Sequence, residues 1–381
     1  QVFKFIVDEC DAIAEYLPVN YRTEMSQQIG RTSRPFVMAL KARTLLYAAS
    51  PLFNPTNDLS RWKAAAEANK YVIDKASEWN ISMGKYEALM GNDSFNGSEL
   101  IFAIAQEASN SFEQYNYPIG IEGGQSGNCP TQTLVDQYEY KAGEYAGKTF
   151  GEVNNGSIDV TTDDLYKNLD PRFAMTIVKN GDFWPNNSNQ QMKIETYEGG
   201  FHASPKYNAT PTGYYLKKYV DGNTDLTPNV NSSYRHAWVV MRLAEFYLNY
   251  AECMYQLTHD AEAKGEYGMS ANEAINVVRL RSDVMMPEFT GNPSDFEERY
   301  ERERLVEFAF EDHRFWDVRR WKKGSKYFAN VNGADLKKDA TGKITLSRKS
   351  LSRNWDEKYN LFPIPYSEIK KNNKLYQNEG W

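Results

Sequence analysis

The spacing of apolar residues divides the chain into three parts. Residues 1–82 and 235–381 place apolar side chains at helical intervals, whereas residues 83–234 lose that periodicity. The middle part is rich in Gly, Asn, Ser and Thr and holds short strand-like runs at 100–104 and 174–178. The pattern predicts a mainly α protein of one domain, in which the two helical parts form a scaffold and residues 83–234 form a loop-rich ligand-binding region.

In the first part, apolar residues between Phe3 and Leu17 share one helical face. A second helix is predicted from Arg34, with Pro35 at a favourable first-turn position, to a stop before Pro51. A third is predicted from near Ser60. These helices loosely resemble the paired helices of tetratricopeptide repeats, because small residues would let neighbouring helices approach closely.

In the last part, residues 236–257 are apolar on nearly all sides, which predicts a buried central helix. Capping boxes are predicted at 270–273 and 294–297, and a long helix at 301–316 followed by a polar loop. Neither helical part alone would bury its apolar helices. We therefore expect residues 1–82 and 235–381 to form one helical body.

Composition narrows the class of function. The chain has 381 residues, of which 41% are hydrophobic and 25% charged, with a net charge of −7. This balance is ordinary for a globular protein and argues against a basic surface for nucleic acid. No run of about 18 apolar residues predicts a membrane-spanning helix.

Motifs for metals and cofactors are lacking. Three cysteines lie far apart without zinc spacing, which also argues against a disulfide framework. Residues 221–225 begin like a calcium loop, but Leu226 and Ser232 replace the required Gly and Glu, so a turn is favoured over calcium. Residues 120–127 are glycine-rich without the lysine of a phosphate-binding loop. We predict no metal and no cofactor.

The cluster Glu311-Asp312-His313-Arg314 has the composition of an acid–base site. The favoured interpretation is a network of ion pairs with Arg302, Arg304 and Glu307 at the spacing of helical neighbours. No nucleophile pattern accompanies the cluster, so no catalytic residue is predicted. A pair of acidic residues placed for glycoside hydrolysis stays open as an alternative, because the chain holds 51 acidic residues.

Aromatic residues in the middle part are the clearest binding signal. A flat aromatic ring can stack on the apolar face of a pyranose, while short amide side chains hydrogen-bond its hydroxyl groups. Both residue types are concentrated in residues 112–128 and 181–208, which we predict to build the ligand site. Tyr115, Tyr117 and Trp184 are predicted as exposed stacking platforms. Asn116 and Asn186 are predicted as hydroxyl partners.

Residues 304–321, RLVEFAFEDHRFWDVRRW, resemble the signature helix of the SusD/RagB family, the nutrient-binding outer-membrane lipoproteins of Bacteroidetes-type bacteria. Further similar segments follow in the family's order at 130–136, 170–173, 212–219, 242–252, 361–365 and 377–381. The resemblance extends over nearly the whole chain. The family's N-terminal portion, with its signal, lipidated cysteine and first helices, is expected to be missing.

The resemblance implies a SusD-like helical scaffold and non-catalytic binding of an oligosaccharide at the cell surface. It also implies delivery to a SusC-like TonB-dependent transporter, which we expect to meet the helical body and not the aromatic loops. Attachment to the outer membrane would depend on a lipid anchor outside this chain. Three alternatives stay open: a carbohydrate-active enzyme with the same aromatic platform, a binder of peptide or another nutrient, and a helical-repeat adaptor.

Overall fold

The computed structural model describes residues 1–19, 30–90 and 97–381. Within these residues the α-helices, α1 to α13, are Val2–Ile13, Arg34–Ala49, Leu59–Lys75, Ser111–Asn116, Gln132–Val135, Phe150–Val153, Pro171–Thr176, Leu243–Thr258, Ala271–Arg279, Phe296–Glu307, His313–Arg320, Gly324–Tyr327 and Tyr366–Lys371. The strands, β1 to β9, are Leu100–Ala105, Ile158–Asp159, Ile177–Val178, Phe183–Trp184, Met192–Lys193, Tyr215–Leu216, Ala237–Arg242, Asn330–Lys338 and Ile344–Ser352. Short 3-10 turns lie at Ala14–Tyr16, Glu87–Leu89, Asp164–Tyr166, Gly265–Tyr267 and Glu357–Asn360.

Local signals set the bounds of α2 and α3, as the sequence predicts. The Ser33 side chain accepts a hydrogen bond from the backbone N–H of Phe36, with Pro35 in the first turn. Asp58 caps α3 in the same way by accepting from the N–H of Ser60 at 2.9 Å. Ala39 and Ala42 on α2 are fully buried, and α2 and α3 pack against each other.

Helix α8 is the buried central helix. Its residues between Leu243 and Met254 are nearly all buried, which confirms the prediction for this segment. The helix starts later than predicted, because Ala237–Arg242 forms β7 and pairs with β1 in an antiparallel register. The β-branched Val239 and Val240 suit a strand once β1 supplies a partner.

One hydrophobic cluster joins the two helical parts of the chain. It contains buried residues of α2, α3, α8, α9 and α10. The helices of residues 1–82 therefore share their core with those of residues 235–381. None of the helices in the described ranges combines the length and the apolar character that a membrane crossing requires.

Several sequence predictions are wrong in detail. Residues 174–178 were expected as a strand, but Asp170 caps α7 and only Ile177–Val178 is extended, paired with β6. The polar loop expected after the last helix contains the β8–β9 hairpin, whose strands have nine residues each. Asn, Gly and Asp in β8 are depleted in strands generally, so propensity hides this hairpin.

The long helix expected at 301–316 is broken. Helix α10 ends at Glu307, Phe310 and Asp312 adopt positive φ angles of 61° and 65°, and α11 begins at His313. Asp295 makes no capping hydrogen bond with its side chain, so the capping box predicted at 294–297 is wrong. The box predicted at 270–273 is confirmed.

A buried network of ion pairs ties the middle part of the chain to the scaffold. Six carboxylates and six cations take part: Glu99, Glu139, Asp170, Glu303, Glu307 and Glu311 with Arg172, Lys218, Arg242, Arg279, Arg281 and Arg302. The side chains of all but Arg302 are almost completely buried. The charges cancel in number, as burial requires.

The ion-pair interpretation of the 311–314 cluster holds for Glu311 alone among the described residues, and the predicted partners at helical spacing are wrong. Glu311 pairs with Arg242 at 2.8 Å and with Lys218 at 2.7 Å. Arg304 pairs with Asp317 at 2.9 Å. Glu311 lies in the break between α10 and α11, and its carboxylate forms ion pairs with residues that are far away in sequence.

Candidate functional site

The loop 112–128 closes on itself. The N–H of Ser126 donates to the carbonyl oxygen of Tyr117 at 2.9 Å, and the N–H of Gly127 donates to that of Tyr115 at 2.6 Å. Asn116 is fully buried, and its side-chain oxygen accepts from the N–H of Asn128 at 3.1 Å. Asn116 thus holds the loop together, and its buried amide is not placed to meet a sugar hydroxyl as predicted.

Tyr117 anchors this loop to a second one. Its hydroxyl oxygen lies 2.8 Å from the carbonyl oxygens of both Asp221 and Thr224, which share its single proton. Burial raises the pKa of Tyr117 well above its usual value, so the hydroxyl keeps its proton. The Asp221 carboxylate accepts hydrogen bonds from Asn223 and Thr224 within the turn, in agreement with a turn at 221–225. In the ranges that the structure describes, no group of three His, Cys, Asp or Glu side chains could hold a metal ion.

Trp184 lies in the same interior as Tyr117. The two rings are 6.3 Å apart in an edge-to-face arrangement, and 3% of Trp184 is exposed. Gly222 packs against the indole so closely that an added Cβ would lie 2.7 Å from a ring atom. The expectation that Tyr117 and Trp184 present exposed ring faces is therefore wrong. They pack with Ile121 and Ile194 in a small hydrophobic cluster in the interior of the loop region.

Two of the five predicted site residues lie at the surface. Tyr115 is 51% exposed, and its ring covers Gly127, where an added Cβ would lie 2.1 Å from a ring atom. Asn186 is exposed, and its backbone N–H donates to the carbonyl oxygen of Gly222 at 2.7 Å. A role of either residue in ligand binding stays a prediction.

The two predicted stretches meet at an open cleft of about 380 Å³, which we call the glycine-loop cleft. Its lining residues are Gly120, Ile121, Glu122, Asn189, Gln190, Met192, Thr227 and Pro228. Gln190 joins the three loops, because its amide nitrogen donates to the carbonyl oxygen of Glu122 at 3.2 Å and its amide oxygen accepts from the N–H of Leu226 at 2.8 Å. The cleft walls are thereby held in place by interior hydrogen bonds.

Phe201 contacts Gly120 in the lining of this cleft, and it is not among the site residues predicted from the sequence. It is 49% exposed, and its ring packs against Gly120, where an added Cβ would lie 3.0 Å from the ring. The ammonium of Lys206 lies 3.4 Å from the ring centroid. The one available signal was its position after two glycines within residues 181–208. His202 follows it and is buried, and burial together with the charge of Lys206 lowers the pKa of His202 to about 4.

Replacing Tyr117 with phenylalanine should lower the free energy of unfolding by about 1–3 kcal/mol. The change removes the donor that serves two carbonyl oxygens while keeping the ring in place. Chemical denaturation measures the difference. Tyr115→Phe is the matched control, since surface changes usually stay within about 0.5 kcal/mol. Equal stability of the two variants would show that Tyr117 does not anchor the loops.

Comparisons with known proteins agree with this fold. The model of the SusD family matches residues 98–381. A SusD-like protein from Bacteroides fragilis is 25% identical, with a TM-score of 0.79 over 100% of this chain and 70% of that one. A SusD-like carbohydrate-binding protein from the same species is 24% identical, with a TM-score of 0.73 over 98% and 71%.

A third solved structure, surface glycan-binding protein A from Bacteroides uniformis, is 18% identical, with a TM-score of 0.57 over 99% of this chain and 68% of that one. No curated protein matches the chain. The family match covers most of the sequence, including the buried network and both loops of the candidate site. The chain therefore belongs to the SusD family.

Proposed function

We propose that this chain binds an oligosaccharide without cleaving it and delivers it to a SusC-like TonB-dependent transporter at the cell outer membrane. Family membership and the names of the neighbouring structures support carbohydrate binding. The observation that carries the proposal is the meeting of two loops at the glycine-loop cleft. Half-exposed Phe201 packs against Gly120 in the lining of this cleft, and buried Tyr117 and Trp184 hold the loops together.

The cleft offers the two kinds of contact that a sugar ring needs. The part of the half-exposed Phe201 ring that Lys206 does not cover supplies a flat apolar surface for the C–H face of a pyranose. The Asn189 amide, the Thr227 hydroxyl and the Glu122 carboxylate supply polar partners for its hydroxyl groups. Because the cleft is shallow, much of the ligand stays in water and we expect modest affinity.

The acidic residues near the cleft support binding rather than hydrolysis. Glycoside hydrolysis requires two carboxyl groups on either side of the bond to be cleaved. Among the residues that the structure describes, Glu122 is the one carboxylate in the lining of this cleft. The nearby Asp225 accepts hydrogen bonds from Asn189 and from the N–H of Thr227, so its carboxylate oxygens already have partners.

We place the transporter contact on the helical body. Val2 and Phe5 on α1 are exposed, as are Phe315, Trp316 and Phe362 near the C-terminal part of the scaffold. Exposed apolar groups of this kind are typical of protein contact surfaces. This assignment leaves the loop surface free to hold the ligand.

A panel of oligosaccharides, tested by calorimetry and by an assay for new reducing ends, examines the proposed function. Binding without new reducing ends supports it. Release of reducing ends at a rate proportional to the concentration of this protein would favour the alternative of a carbohydrate-active enzyme. Absence of binding across the panel would overturn carbohydrate binding for this chain.

Phe201→Ala and Tyr115→Ala should each weaken binding of the glycan found in the panel. Loss of a stacked aromatic ring costs about 1–3 kcal/mol in nucleic-acid binding, the nearest measured analogue, or about ten- to a hundredfold in affinity. Calorimetry measures the change, with circular dichroism to verify folding. Tyr376→Ala is the control, because Tyr376 is 86% exposed and lies outside both loops. Unchanged affinity in both loop variants would remove these rings from the site.

A further inference from the structure

A second and larger cleft lies between residues 196–213 and the β8–β9 hairpin. Its volume is about 580 Å³, and we call it the lysine cleft. Three lysines, Lys206, Lys337 and Lys349, line it together with the acidic residues Glu198 and Asp335. Its lining thus differs in charge from that of the glycine-loop cleft, whose described lining residues include Glu122 and no lysine.

The two clefts share a border at Phe201. One part of the Phe201 ring packs against Gly120, which lines the glycine-loop cleft. The ammonium of Lys206, which lines the lysine cleft, lies over the same ring. Phe201 therefore contacts one lining residue of each cleft.

Among the described residues, the lysines that line the lysine cleft outnumber the acidic groups of its lining. Lys337 lies 3.7 Å from Asp335, so these two charges compensate each other. Within the described ranges, Lys206 and Lys349 have no acidic oxygen within 4 Å. Glu198 is the remaining acidic group of the lining, which leaves two lysines against one glutamate. Positive charge in a concave surface attracts anions.

One residue in the lining of the lysine cleft has a buried hydroxyl group without a partner in the described part of the chain. Thr196 is 5% exposed, and its Oγ1 has no hydrogen-bond partner among the described residues. Buried polar groups are usually hydrogen-bonded, and exceptions often mark a site for water or a ligand. Thr196 thus adds a polar residue to the lining of the lysine cleft.

We propose that the lysine cleft binds the anionic substituent of an acidic oligosaccharide whose uncharged part lies on Phe201 and in the glycine-loop cleft. The substituent is a carboxylate or a sulfate, because both present oxygens that lysine ammonium groups bind. The opposite placement, with the anionic substituent in the glycine-loop cleft, is disfavoured because Glu122 would repel it. This inference rests on the proposed function and adds the class of glycan.

The test compares acidic oligosaccharides with neutral counterparts of the same backbone. Uronic-acid oligosaccharides are paired with their carboxyl-reduced forms, and sulfated oligosaccharides with their desulfated forms. At least one acidic oligosaccharide should bind more tightly than its neutral counterpart. A preference in the uronic-acid pair identifies the bound substituent as a carboxylate, and a preference in the sulfated pair identifies it as a sulfate. The preference should shrink as salt is raised, because exposed charges are screened.

Substitutions in the lysine cleft test whether its lysines bind the anionic substituent. Lys206→Gln and Lys349→Gln should each weaken binding of the acidic member by about two- to fivefold, the range of single exposed ion pairs. Affinity for the neutral partner should stay the same in Lys349→Gln. Lys206→Gln also uncovers the Phe201 ring, so this variant is judged on the acidic member alone. Glu198→Gln should strengthen binding of the acidic member, because it removes the negative charge of the lining. Lys374→Gln, an exposed lysine outside both clefts, is the control.

The outcomes separate this inference from the proposed function. Equal or tighter binding of the neutral partners would overturn the inference and leave glycan binding intact. Acidic binding that is unchanged in both cleft-lysine variants would overturn the lysine cleft as its site. If no saccharide of either kind binds, the proposed function and this inference fail together.

Discussion

Replacing Glu307 with glutamine is expected to lower the free energy of unfolding by about 3–5 kcal/mol, the cost of breaking a buried ion pair from one side. The Glu307 side chain is fully buried between three arginines. One carboxylate oxygen lies 2.6 Å from Arg242 and 2.7 Å from Arg281, and the other lies 2.8 Å from Arg172. Glutamine retains the volume but leaves these guanidinium groups without their shared counterion.

The direction of the Glu307 pKa agrees with this expectation. Burial opposes ionisation, yet the charges of Arg281, Arg242 and Arg172 hold the pKa of Glu307 far below its usual value. The folded protein thus stabilises the carboxylate strongly. Because Arg172 belongs to the middle part and Arg242 and Arg281 to the scaffold, the variant should also loosen the attachment of the loop region.

Urea denaturation of the purified variant measures the change. Glu298→Gln on the same helix is the control, because its pair with Lys326 is exposed and such pairs contribute about 0–1 kcal/mol. If Glu307→Gln does not fold, hydrogen exchange of the wild-type protein still tests the network, which should protect residues 303–307 and 242–245 to a similar degree. Similar small losses in both variants would contradict a structural role of the network.

The helices were predictable where their signals are local. Helix α2 begins and ends at the expected residues because Ser33, Pro35 and Pro51 act within one turn of its ends. Strand β7 was mistaken for helix because its partner β1 lies more than 130 residues away. The break at Phe310 and Asp312 likewise coincides with ion pairs to residues that no local pattern contains.

The candidate site was predictable at the level of segments and not of side chains. Glycine, amide and aromatic residues identified the two stretches that meet at the glycine-loop cleft. Their composition could not reveal that carbonyl groups at 221 and 224 bind the Tyr117 hydroxyl, or that Gly222 makes room for Trp184. Phe201 was overlooked because its position depends on Gly120, some 80 residues earlier.

A loss of stability in acid is the second large expected effect, and Glu311 is its clearest source. Burial would raise the pKa of Glu311, but Arg242 and Lys218 lower it from 4.5 to about 2. A carboxyl group with a depressed folded pKa contributes stability above its unfolded pKa, and this contribution disappears as pH falls through the folded pKa. The contribution of Glu311 should therefore be complete above pH 4.5 and lost towards pH 2, with a size on the order of 3 kcal/mol.

Comparison with Glu311→Gln isolates this contribution from the rest of the protein. His202 and His313, whose pKa values burial lowers to about 4, also reduce stability as pH falls from 6.5 to 4. Both histidines are present in the variant, so their effect largely cancels in the difference between the two proteins. Urea denaturation from pH 7 to pH 3 should show a constant difference down to about pH 5 and a shrinking one below it. A difference that stays constant to pH 3 would mean that Glu311 is not held ionised by Arg242 and Lys218.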